Sequence, residues 1–111
     1  MTQESRGFTR YVVYYVTGGS AAVGMPQDAE IDCFDDAGSR AGAIYFLAGS
    51  IRLPKNQLTV NGIYLYYRLS RFADIMTILK DEKPLYLSLN TDTNVGYIGT
   101  SSEPVGEQES S

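Results

Sequence analysis

The sequence predicts an α+β domain of mostly antiparallel strands, in the order β-β-β-β-α-β-β, with the sheet curled or closed into a partial barrel. Three observations carry this. Short runs of β-branched and aromatic residues recur between turn-forming clusters of Gly, Asn, Asp and Ser, which is the punctuation of strands. One segment alone changes to a helical period. A single helix of that length covers only part of one face of about six strands, so the sheet must curl, divide into two layers or bury a face against another chain.

The first strand lies in GFTRYVVYYVTGG, from Phe8 to Val16, and is stopped by Gly18 and Gly19. After the loop GGSAAVGMPQ, AEIDCFDDAGSRAGAIYFLAG reads as a hairpin with Ile31 and Cys33 on one face. Its tip is DDAGS, where Gly38 can take a positive φ. Pro54 makes SIRLP an edge or a connection. NQLTVNGIYLYYRLS is the fourth strand, with Asn61-Gly62 a turn or bulge at its start. Phe72, Ile75, Met76 and Leu79 follow the spacing i, i+3, i+4, i+7, so SRFADIMTILKDEK is an amphipathic helix with Ser70 as its N-cap. Lys83 precedes Pro84 and ends it, and PLYLSLN and VGYIGTS supply the last strands across the turn TDTN.

The chain of 111 residues is the length of one domain, expected over 7–101 with flexible tails at 1–6 and 102–111. No apolar run approaches the ~20 residues of a membrane helix, and the N-terminus lacks the apolar core of a signal peptide. With one cysteine, Cys33, and thus no internal disulfide, the expected compartment is the cytoplasm. The net charge of −4 is unevenly placed. Residues 1–71 hold seven Arg/Lys against six Asp/Glu, whereas 72–111 hold two lysines against seven acids, so the body of the fold is near neutral.

Several chemistries are poorly supported. TGGSAAVGMP has the glycine spacing of a phosphate-binding loop, with Met25 and Pro26 where Lys and Ser/Thr belong. Asp32, Asp35 and Asp36 in DCFDD are too few and wrongly spaced for an EF-hand, and strand alternation sends Asp32 and Asp35 to opposite faces. The chain has no histidine, so Ser-His and Cys-His nucleophile pairs are impossible. The expectation is a protein without cofactor or metal, and not an enzyme.

Nine tyrosines against four phenylalanines and no tryptophan remain as the signal. A tyrosine packs its ring while its hydroxyl needs water or a hydrogen bond, which suits a half-wet surface. Alternation puts Ile63, Leu65, Tyr67 and Leu69 on one face of the fourth strand and Tyr64, Tyr66 and Arg68 on the other. The candidate interface is Tyr11, Tyr15, Tyr64, Tyr66, Arg68, Tyr86 and Tyr97, edged by Arg10 and Arg52. Its expected use is self-association, a homodimer foremost, or binding of another protein. Single-stranded nucleic acid held by Tyr/Arg stacking is the alternative, disfavoured by the near-neutral body. A small-ligand protein or an enzyme using only Asp and Glu is the third reading.

Overall fold

A computed structural model of the chain describes residues 3–16, 27–81 and 85–100. The elements are β1 (Gln3–Phe8), β2 (Arg10–Tyr15), β3 (Ala29–Phe34), β4 (Arg40–Leu47), β5 (Gln57–Thr59), β6 (Gly62–Arg68), a 3₁₀ turn (Leu69–Arg71), α1 (Phe72–Asp81), β7 (Leu85–Asn90) and β8 (Gly96–Thr100). The α+β class holds, and every strand pairing is antiparallel except β4 with β6.

The strands form two sheets, β1-β7-β8 and β2-β3-β4-β6-β5, in place of one curled sheet or partial barrel. The reason lies at Thr9, where the expected first strand breaks. In β1 the even residue Phe8 points into the core, whereas in β2 the odd residue Tyr11 does, so the alternation slips by one between them. Thr9 holds the break: its N–H donates to the Phe34 carbonyl at 2.9 Å and its hydroxyl to Asp36 Oδ1 at 2.6 Å. One continuous run of residues thereby contributes a strand to each sheet.

Gln3–Arg6, expected in a flexible tail, are part of β1 and pair with β7 from Asn90 to Leu87. Gln57–Thr59 forms a strand of its own because Val60 and Asn61 make a two-residue turn that folds it back on β6, with Gly62, paired to Thr59, as the first residue of that strand. The glycine-spaced loop, Lys83 with Pro84, and the 102–111 tail lie outside the described residues.

The core sits between the sheets. Ile31, Cys33, Ile44, Phe46, Ile63 and Leu65 come from the larger sheet, and Phe8, Leu85, Leu87 and Leu89 from the smaller. Burying each large side chain stabilises the fold by about 1.5–3 kcal/mol. Ile75 and Leu79 of α1 are buried in the same cluster, while Phe72 and Met76 pack only at its margin. The helix holds the whole periodic set from Phe72 to Leu79, and a 3₁₀ turn precedes it. Ser70 is inside the 3₁₀ turn and not an N-cap; the residue that precedes the turn is Arg68, in extended geometry and without a side-chain cap.

Two glycines let the parallel pair β4–β6 close. Gly42 and Gly62 have φ of +154° and +114°. A Cβ on Gly62 would stand 2.3 Å from the Ala41 carbonyl oxygen, and one on Gly42 2.0 Å from that of Ile63. The β3–β4 tip takes the expected form, with Gly38 at φ +88°. Asp35 Oδ1 accepts from the amides of Ala37 and Ser39 at 3.0 and 2.8 Å. No helix of the described residues is long and apolar enough to cross a membrane.

Candidate functional site

Alternation and pairing register define the outward face of the larger sheet. Ile31 and Cys33 of β3 point inward, so Glu30 and Asp32 point outward; register carries this to Val12 and Tyr14 of β2, Tyr45 of β4, and Tyr64 and Tyr66 of β6. Tyr45 and Tyr66 stack with ring centroids 5.2 Å apart, and Tyr64 meets Tyr45 edge-on at 5.7 Å. The Arg40 guanidinium lies 5.7 Å from the centre of the Tyr64 ring, a cation–π distance.

A polar cluster adjoins these rings. Arg40 Nη2 donates to Asp32 Oδ1 at 3.3 Å, and Gln27 Nε2 to Glu30 Oε1 at 3.1 Å. Desolvation, then a hydrogen bond and repulsion from Asp32, push the Glu30 carboxyl up to about 7. Desolvation and the nearby Glu30 charge push the Tyr45 phenol up to about 12. Burial raises Tyr66 and, on the inner face, Tyr67. Glu30 and Asp32 also border an open hollow of about 630 Å³ at the end of β2 that Val13, Tyr14, Tyr15 and Val16 line. It is a surface trough, not an enclosure of the sort that buries most of a small ligand.

The expected interface residues fall in three places. Tyr64, Tyr66 and Arg68 share the outward face of the larger sheet. Tyr11 and Tyr15 share the opposite face of β2: Tyr11 packs on the core cluster, and Tyr15 lies 5.2 Å from the Phe72 ring. Tyr86 and Tyr97 meet edge-on at 6.1 Å on the smaller sheet. Arg68 is engaged within the fold, because its Nη1 donates to the Ala48 carbonyl at 2.9 Å and to that of Ile51.

Tyr45 was not singled out by sequence, although its position between inward Ile44 and Phe46 was the available signal. Its ring shows what the outward tyrosines do locally. Ala43 and Leu47 also face outward yet are buried, so the rings around them cover the sheet's own apolar backing. Among the described residues the longest consecutive run of exposed apolar side chains is on β2, where Val12 is 43%, Val13 36%, Tyr14 51% and Tyr15 64% exposed; Leu58, Val60, Val95 and Tyr97 are exposed as well.

The remaining sequence candidates have local roles. Asp32 pairs with Arg40, Asp35 closes the hairpin tip and Asp36 accepts from Thr9. Among the described residues no three Asp, Glu, Cys or His side chains are grouped to hold a metal. Cys33 is fully buried, and desolvation pushes its thiol up to about 12. No family model, curated protein or solved structure matches the chain.

Proposed function

We propose that this protein is a non-catalytic interaction domain that associates with a second copy of itself, and that β2 carries the contact in place of the Tyr64–Tyr66 pair. The observation behind this reading is the run of four consecutive large apolar residues, Val12 to Tyr15, left exposed on both faces of one strand. An exposed patch of this kind is what association sites present. Tyr64 and Tyr66 are half-buried against Tyr45 and act as a lid on their own sheet, which lowers their value to a partner.

The nucleic-acid reading has less to support it. Glu30 and Asp32 stand on the outward face, Arg40 is paired with Asp32, and Arg68 is committed to backbone carbonyls. Such a face repels phosphate more than it neutralises it. The test is light scattering on the purified chain at micromolar concentration. Wild type is expected as a dimer, and Val12→Ser combined with Tyr14→Ser as a folded monomer. A wild type that stays monomeric contradicts the reading.

A further inference from the structure

We propose that two copies join edge to edge through β2, antiparallel about a twofold axis at Val13, so that the larger sheet continues from one copy into the other. This rests on the self-association reading and adds where the copies meet and in what register.

The backbone sets the geometry. Val16 N–H donates to the Asp28 carbonyl at 2.8 Å, so the backbone of residue 16 faces β3 as in a hydrogen-bonded pair, although the Asp28 N–H itself turns to the Phe46 carbonyl. Antiparallel ladders alternate such pairs, which directs the backbone groups of residues 10, 12 and 14 toward β3 and those of Tyr11, Val13 and Tyr15 away from it. Among the described residues no strand pairs with that outer edge. Natural edges are blunted by proline, lysine, inward charges or bulges. β2 reads Arg-Tyr-Val-Val-Tyr-Tyr, and its register with β3 is unbroken. It is an unblunted edge with exposed apolar side chains.

A twofold axis perpendicular to the sheet keeps each face continuous, so odd residues meet odd and even meet even. With the axis at Val13, the two Val13 residues form a hydrogen-bonded pair, and Tyr11 forms another with Tyr15 of the second copy. Val12 then packs against Tyr14 of the second copy on the outward face. All four exposed residues gain a partner. Arg10, on the outward face, falls opposite Val16 of the second copy. In that copy Val16 neighbours Asp28, with Glu30 one outward pair further along, so a cation comes to the end of the edge that carries two acidic residues. Moving the axis to Val12 loses this, and sets Tyr15 against Thr9, whose N–H is already taken by Phe34. Of these two registers, the side chains and the charges both favour the axis at Val13.

Two experiments on the full chain test the proposal. Val13→Pro removes the N–H at the centre of the new ladder without removing one that faces β3, since edge strands accept proline on the free side. The expected result is loss of the dimer at micromolar concentration with cooperative melting retained. Should that variant fail to fold, cross-linking decides independently. Under mild oxidation an equimolar mixture of Val12→Cys and Tyr14→Cys chains should form a mixed disulfide dimer faster than either chain alone, while Tyr64→Cys does not cross-link. Rapid cross-linking through Tyr64→Cys, with none in the mixture, overturns the edge geometry while leaving self-association standing. A monomeric wild type overturns both. If the amides of Tyr11, Val13 and Tyr15 are nevertheless slow to exchange in that monomer, the edge is covered within the chain itself.

Discussion

Asn56 and Asn94 exchange three hydrogen bonds: the Asn56 amide to Asn94 Oδ1 at 2.9 Å, Asn56 Nδ2 to the Asn94 carbonyl at 3.0 Å, and Asn94 Nδ2 to the Asn56 carbonyl at 2.7 Å. Asn56 precedes β5 in the larger sheet and Asn94 is in the β7–β8 turn of the smaller, so the pair ties the two layers together beside the core. Asn56 Oδ1 also accepts from Tyr66 N–H at 2.9 Å, extending the β5 side of the ladder by a side chain. Asn94 itself sits at φ 62°, a conformation asparagine tolerates better than most residues.

Asn56→Ala should therefore destabilise the fold by about 1–3 kcal/mol, because it strands partly buried groups on Asn94 and Tyr66. Asn94→Ala should cost a comparable amount, and the double variant less than the sum of the two, as expected for residues in one network. Urea denaturation of the three variants checks this. Additive losses would mean that the pair does not couple the sheets.

Gly62→Ala should be destabilising by about 1–3 kcal/mol or more, since the new methyl meets the Ala41 carbonyl and the backbone keeps a positive φ. Gly38→Ala, where φ is also positive but no atom lies within 4 Å, should cost less. Thermal melting of the two variants compares strain plus clash with strain alone.

In α1, Leu79→Ala and Ile75→Ala should each cost about 2–5 kcal/mol. Met76→Ala should cost clearly less, because Met76 lies at the margin of the cluster although its helical spacing is equivalent. Equal losses at 76 and 79 would contradict the packing described.

Much of this arrangement was legible in the residues, and the misses share a cause. Period and punctuation located α1, the β3–β4 tip and the inward set Ile63, Leu65 and Tyr67. What they could not convey was a change of phase within an unbroken apolar run. The slip at Thr9 depends on hydrogen bonds to Phe34 and Asp36, residues more than twenty positions away. It divided the sheet in two, and the same run came to supply an edge strand to each sheet, one of them carrying Phe8 into the core. Likewise Arg68 looks like a free cation beside tyrosines until the fold brings the carbonyls of Ala48 and Ile51 to it.

The carboxyl of Glu30 gives a pH signature. Its folded value of about 7 lies above its unfolded value near 4.5, so the folded state holds the proton more tightly. The stabilisation is full below about 4.5 and is lost as pH rises through about 7. Glu30→Gln, a neutral mimic of the protonated acid, should flatten that part of the stability curve and melt higher than wild type at pH 8. An unchanged slope between pH 4.5 and 7 would show that Glu30 is not the group responsible.

Sedimentation equilibrium of the wild-type chain across nanomolar to high micromolar concentration tests the central claim most directly. The account predicts a concentration-dependent rise from the mass of one chain to twice that mass, only weakly affected by added salt because the contact is mainly apolar and backbone-mediated. A single monomer mass at every concentration, with no association even at the highest, would contradict it.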